Sequence, residues 1–535
     1  MRVRGSRVYI VSLLIAATIM NACRHELDER YLNPDRTSHA TIDQFFTEML
    51  NNNRVRPSYW EVSTFINWHI GIYTQSVGYL NTESVYQQNE AYISNYWDDF
   101  YRPGPNGSGV MAQYREIEKE YAALSADEQK EMEIFVQAAR VVLYEETIKM
   151  VDLWGDIPFS EAGMLNKKGE VIYPVYDNSK DVYDAMLSGL QDAAEYFSTA
   201  TPSTLTQSLF SRQDILLTGN IRQWQRYANS LRLRLLMRIS FMDEARAKQE
   251  VQMMLSDPSA YPLLGDDNAS YSPAEDDILL QPLTNYTDDL HGAFSDWTNY
   301  PAPYYMLEHV LKPVNDLRIP VLFDKYGQTM NGTFIPNAEY NGMPVNESGT
   351  AQQLSLEDYA ILDSVTFLYN SKLPGVVMTV SEVGFLKAEA YERWGGGDAQ
   401  KVYAQAVENS VDFYYYLNNL NQASGKLLAP PAEPVKEAFI NFVIIPKYTG
   451  TTDEKLAAIA TQKWLHLGFM QAIESWAELR RTGYPQLYFY PSQLAGYELP
   501  PLRLLYPASE KTFNSNYASV AAKDFRNSKI FWDIH

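Results

Sequence analysis

Two stretches of this chain set flat aromatic rings beside amide and carboxylate side chains at close spacing. The first runs through Asn67, Trp68, Tyr73, Gln75 and Tyr79; the second runs through Asn285, Tyr286, Asp289, Trp297, Asn299, Tyr300 and Tyr304. A sugar ring has a face of C–H groups and a rim of hydroxyls, so binding it needs an aromatic platform for the face and Asn, Asp or Gln for the rim. Trp68, Tyr73, Gln75, Tyr286, Asp289, Trp297, Asn299 and Tyr300 are therefore the candidate ligand-binding residues. Trp297 lies in an irregular Asp-Trp-Thr-Asn-Tyr-Pro run, where an indole has less helix packing to do. For Trp68 a buried, helix-packing indole is the alternative. Trp97 and Tyr101, about one helical turn apart beside Phe100, read as core.

Catalytic chemistry finds weaker support. The sequence has no His-Glu-x-x-His, no Gly-x-Ser-x-Gly and no phosphate-cradling glycine loop. Glu145 with Glu146 and Glu474 with Glu478 invite a glycosidase reading, which needs two facing carboxyls about 5 to 9.5 Å apart. The first pair points to different helix faces, and the second has the ordinary i,i+4 spacing of a helix. The seven His are scattered, and His69, His291 and His309 make no metal motif. Asp266-Asp267-Asn268 and Asp276-Asp277 lack a complete set of oxygen ligands for calcium. No catalytic residue, metal or cofactor is expected.

The single cysteine, Cys23, excludes an intramolecular disulfide. It follows Arg2, Arg4 and Arg7 and an apolar run from Val8 to Met20, the pattern of a secretory leader. Met20-Asn21-Ala22-Cys23 resembles the lipobox at which a bacterial leader is cut and the cysteine acylated, with Met20 standing where Leu is usual. Residues 1–22 are read as a lipoprotein leader, 23–40 as a lipid-anchored tether carrying Glu26, Asp28 and Glu29, and 41–535 as the folded body. No comparably long apolar run follows, so the body is expected to be tethered and extracytoplasmic. A net charge of −22 would repel a phosphate backbone, which excludes nucleic acid as a natural partner.

Apolar spacing of three and four residues predicts helices over Glu131–Leu153, Asp181–Phe197, Ile221–Ser240, Val380–Trp394, Ala399–Leu417 and Lys455–Arg480. Ser125 with Glu128 and Thr379 with Glu382 fit capping boxes, and Gly155, Gly395 and Gly483 fit helix stops. Ala388 to Tyr391 with Gly397, Asp398, Val402, Tyr403 and Ala406 resembles a tetratricopeptide unit. The fold class is mainly α, with tetratricopeptide-like helix pairs forming an α-α superhelix. Long loop-rich insertions interrupt it, the largest at about 257–379.

An ordered set of segments then carries a resemblance across the whole body. It comprises Asp152-Leu153-Trp154-Gly155-Asp156-Ile157-Pro158-Phe159, Trp224 with Ala228 to Arg234, Glu382 with Phe385 to Ala390, and Gln462-Lys463-Trp464. Trp476 with Arg480 to Pro485, Tyr506-Pro507 and Phe531-Trp532-Asp533 complete it. Together they resemble the SusD/RagB family, in its SusD-like lipoprotein branch. The resemblance implies an outer-membrane lipoprotein facing the extracellular side. Such a protein captures oligosaccharide and passes it to a SusC-like TonB-dependent transporter. The motif residues themselves read as scaffold, with Arg480 and Arg481 capping the negative end of their helix. The alternatives are a lipid-anchored glycoside-processing enzyme and a peptide-binding or protein-interaction scaffold.

Overall fold

The computed structural model describes residues 40–104, 109–164, 173–266, 270–283, 288–294, 301–422 and 425–534. The leader, Cys23 and the tether up to residue 39 lie outside the described residues. The principal helices in chain order are α1 (Ile42–Leu50), α2 (Glu90–Tyr101), α3 (Val110–Ala123), α4 (Ala126–Trp154), α5 (Ser179–Thr199) and α6 (Thr204–Gln213). They continue as α7 (Ile221–Arg238), α8 (Glu244–Ser256), α9 (Val380–Trp394), α10 (Ala399–Leu420), α11 (Thr452–Leu467) and α12 (Ala472–Thr482). Consecutive helices pack as neighbours along α3, α4 and α5, and again along α9, α10, α11 and α12, with α7 laid against α5. The mainly α architecture of paired helices follows. Among the described residues no helix is long and apolar enough to cross a membrane.

Local chemistry explains most boundaries. At the start of α4 the Ser125 N–H donates to Glu128 Oε2 at 2.9 Å while Ser125 Oγ accepts from the Glu128 N–H, which closes the capping box. Gly155, Gly395 and Gly483 end α4, α9 and α12 with positive φ. In the tetratricopeptide-like pair, a Cβ on Gly384 of α9 would stand 2.8 Å from the Ala406 Cβ of α10, so the two backbones approach only because one side chain is missing.

Three expectations need correction. The helix predicted over Lys455–Arg480 is two, α11 and α12, because Gly468 turns the chain with φ +52. The box at Thr379 is half made: Thr379 Oγ1 accepts from the Glu382 N–H at 3.1 Å, but the Glu382 carboxylate is taken by Arg234. Arg480 and Arg481 are not simple C-terminal caps. Arg480 donates to the carbonyls of Asp152 and Leu502 at 2.8 Å, and Arg481 is buried among carboxylates.

Those carboxylates belong to an ion-pair network inside the body. Arg234 of α7 meets Glu382 of α9 at 2.6 Å and Glu145 of α4 at 2.9 Å. Arg238 meets Glu474 of α12 at 2.6 Å, Asp152 of α4 at 3.3 Å, and Glu478. Lys463 of α11 lies 3.0 Å from Glu478, and Arg481 donates to Glu389 at 2.7 Å and Glu478 at 2.8 Å. Burial pushes the Glu478 carboxyl up, but Arg481, Lys463 and Arg238 outweigh it and hold the group well below the usual carboxylate range. The carboxylates that invited a glycosidase reading are all committed here: Glu145, Glu474 and Glu478 as described, and Glu146 with Arg54 at 3.0 Å and Lys149 at 2.6 Å.

The 257–379 insertion carries short antiparallel pairs: β1 (Ile278–Leu280), β2 (Phe323–Asp324), β3 (Gly327–Met330), β4 (Thr333–Pro336), β5 (Ile361–Leu362) and β6 (Gly375–Met378). β1 pairs with β6, β2 with β5 and β3 with β4. The first pairing clasps the insertion near its base, just before α9.

Removing one partner of a buried ion pair strands the others, at a typical cost of about 3–5 kcal/mol. Arg481→Ala should therefore lower the unfolding free energy by that order, seen as a lower denaturant midpoint by far-UV circular dichroism. A midpoint within error of the parent would show that the network carries little stability.

Candidate functional site

The first sequence stretch builds a concave surface. Val62–Ile70 winds as a π-helix, a form that often marks functional positions, and it is followed by a short helical turn, Gly71–Tyr73. The wider winding presents Trp68 outward, 49% exposed, on the rim of a cavity of about 600 Å3. Asn67 is buried beside it. Its amide donates to the Ala293 carbonyl at 2.9 Å, leaving Oδ1 without a hydrogen-bond donor at the cavity wall.

The opposite wall is the approach to α2. Asn89 caps this helix, its side-chain oxygen accepting from the N–H groups of Ala91 at 3.1 Å and Tyr92 at 3.3 Å. Its own N–H donates to His69 Nε2 at 3.0 Å, so the cap is tied to the π-helix. This places the Tyr92 ring edge-on to both Trp68 and Trp60, with ring centroids 6.3 Å apart in each pair. Trp60 is 38% exposed, and Tyr59 beside it is also exposed. Exposed Trp60 and Trp68 thus flank the half-buried Tyr92, and Trp68 shares the cavity wall with exposed Thr82, Ser84 and Gln87. Glu90 is the one charged side chain lining this cavity, and its carboxylate already accepts from Ser94 Oγ at 3.3 Å.

The sequence candidates divide. Trp68 lies on the platform. Tyr73 is 2% exposed, its ring against Trp476 at 5.3 Å, and Gln75 is buried with its amide donating to the Tyr488 carbonyl, so both side chains point into the body. The chain turns at Gln75, where φ is +48. Asp289 caps a short turn, accepting from the His291 N–H at 3.0 Å. Tyr286, Trp297, Asn299 and Tyr300 lie outside the described residues. The two stretches do converge: Asn67 bonds Ala293, and a Cβ on Gly78 would meet the Pro301 carbonyl oxygen at 2.3 Å, so only glycine permits that approach. Trp97 is core, as its spacing implies. Sequence reasoning missed Trp60, Tyr92 and Asn89, although the polar run Gln87-Gln88-Asn89 ahead of a helix carried a signal. Among the described residues no group of three or more His, Cys, Asp or Glu is placed to hold a metal. His69 is buried and His291 is stacked on Tyr369.

With this geometry in hand, the comparisons place the chain. It belongs to the SusD-like family: the family model described as "Starch-binding associating with outer membrane" matches residues 34–507. A solved structure described as a chitin-binding protein superposes with a TM-score of 0.70 at 22% identity, covering 92% of this chain and 99% of that one. A chitin-binding SusD homolog from Flavobacterium johnsoniae gives 0.67 at 22% identity over 92% and 99%. A SusD homolog from Bacteroides fragilis gives 0.70 at 20% identity over 92% and 100%. These likenesses establish the shared fold. No match was found among curated proteins.

Burial pushes the His69 imidazole down to about 4, so it stays neutral in the fold where the unfolded chain would take up a proton. A depressed imidazole stabilises fully above the ordinary value of about 6.5 and loses that contribution as pH falls toward 4, up to about 3 kcal/mol. Other buried groups titrate too, so the useful quantity is a difference. His69→Gln, whose amide oxygen can still accept from Asn89, should be less stable than the parent near neutral pH, with the gap closing on acidification. A gap in denaturant midpoint that does not change with pH would contradict this role.

Proposed function

We propose that this protein binds neutral oligosaccharides at the bacterial surface and passes them to a SusC-like TonB-dependent transporter. The observation that carries the reading is the exposed Trp68 and Trp60 flanking the half-buried Tyr92 beside a cavity edged by uncharged polar side chains. Stacked apolar sugar faces fit the rings, and the exposed Thr82, Ser84 and Gln87 along the cavity wall offer hydroxyl and amide partners to the sugar rim. The lining is almost wholly uncharged, which suits neutral sugars better than sulfated or uronic ones, and a chain of net charge −22 would add repulsion to any polyanion. Membership in a family described as starch-binding and outer-membrane-associated supports both the ligand class and the location, as do the chitin-binding relatives. Tyr286, Trp297, Asn299 and Tyr300 stay candidate ligand contacts in this proposal; the described residues Ala293 and Pro301, close to them in sequence, contact the first stretch. Attachment runs through acylated Cys23, with residues 23–40 as the tether.

A glycan array with a hydrolysis assay on each hit tests the reading, which calls for saturable binding without product. Released product would favour a glycoside-processing enzyme, and silence a peptide ligand or scaffold. Trp68→Ala should weaken the best hit by about tenfold, equivalent to roughly 1.4 kcal/mol for one stacking contact, without changing the thermal midpoint. An unchanged affinity would remove Trp68 from the site. For the anchor, Cys23→Ser should move the protein from the membrane to the soluble fraction and abolish palmitate incorporation; retention of both would overturn lipidation at Cys23.

A further inference from the structure

A second cavity, of about 570 Å3, opens within the insertion. Its wall includes Tyr326, Phe334 and Tyr369, all exposed, Tyr369 by 53%. Phe334 stands on the β3–β4 hairpin, whose turn at Asn331-Gly332 has positive φ at both residues, the tight form that matches strand twist and holds the hairpin firmly. Tyr326 at the hairpin base lies 6.2 Å from Phe334 between ring centroids. Asp324, Lys325, Glu357 and Lys426, two of each sign, provide polar groups at the same wall with no net charge. An outward-facing set of large rings around a concavity is unusual on a solvated surface and marks a site of contact.

The described residues also connect this cavity to the first. From Trp68 the rings run to Tyr92 and on to Trp60, whose chain neighbour Tyr59 is also exposed. The Tyr59 ring lies against Gly292, where a Cβ would be 3.5 Å from it, and the adjoining His291 stacks on Tyr369 with centroids 4.6 Å apart. Tyr369 is already the wall of the second cavity. Pro301 lines that cavity and also touches Gly78, next to Tyr79 of the first.

We propose that the two cavities are the ends of one extended track, and that Tyr326, Phe334 and Tyr369 form a distal subsite for the far units of a long neutral oligosaccharide. This rests on the first cavity being a sugar site. It adds that affinity grows with chain length, because a ligand long enough to reach Tyr369 gains a second stacking surface without a second loss of translational freedom.

Calorimetric titration with the disaccharide and hexasaccharide members of the chito-, malto-, xylo- and manno-oligosaccharide series tests it. The parent should bind the hexasaccharide of its preferred series more tightly than the disaccharide. Tyr369→Ala and Phe334→Ala should each weaken the hexasaccharide by about tenfold and leave the disaccharide unchanged, whereas Trp68→Ala should weaken both. Equal affinity for both lengths, or hexasaccharide binding unaffected by both distal variants, would overturn the distal subsite while leaving the first cavity intact, and the exposed hairpin would then fit a protein partner better. Binding of neither length in any series would overturn the sugar reading of the first cavity, and the track with it.

Discussion

Arg234, Arg238, Lys463 and Arg481 stand inside the helical body, and each is tolerable there only because carboxylates from other helices meet it. An isolated buried cation would cost several kcal/mol in lost hydration, so the helices that supply Glu145, Asp152, Glu382, Glu389, Glu474 and Glu478 must arrive in one register. Apolar packing alone tolerates a helix sliding by a fraction of a turn. A guanidinium held between carboxylates from α4, α9 and α12 does not, because its hydrogen bonds have fixed directions. The network therefore acts as a gauge for how the helices stack, and the four glutamates first considered for catalysis are part of it.

That gauge reaches the candidate platform through Arg54. Its Nε donates to Glu146 at 3.0 Å, its Nη1 donates to the Tyr96 carbonyl at 2.6 Å, and its guanidinium lies 3.8 Å over the Tyr96 ring. Tyr96 in turn stacks flat on Phe65, with ring centroids 3.8 Å apart. Phe65 is on the π-helix that presents Trp68, and Tyr96 is on α2, which presents Tyr92. The backbones beneath the platform rings are thus braced against the core. Rigid support of this kind spares a ligand the cost of ordering its own site.

The sequence shows the scaffold more clearly than the site. Helical periodicity is a property of adjacent residues, so α4, α5, α7, α9 and α10 were readable to within a few residues, and the Ser125 box was complete within four positions. What escaped depends on distant partners. Glu382 looks like a capping residue until Arg234, 148 positions away, takes its carboxylate. Tyr73 and Gln75 look like neighbours of Trp68, but a π-wound helix followed by a left-handed turn sends them to the interior. Trp60 and Tyr92 join Trp68 only in three dimensions, through a cap that depends on the buried neutral His69. A composition argument singled out two segments and could not say which of their side chains face out.

The β1–β6 clasp has a further implication. It brings the two ends of a hundred-residue excursion to a fixed separation beside α9, pairing Ile278 with Met378 and Leu280 with Gly375. The entropy of closing a loop rises only with the logarithm of its length, so material added or removed beyond the clasp costs the scaffold little. The helical body and the part of the insertion beyond the clasp, which holds the second cavity, are then free to change independently of each other.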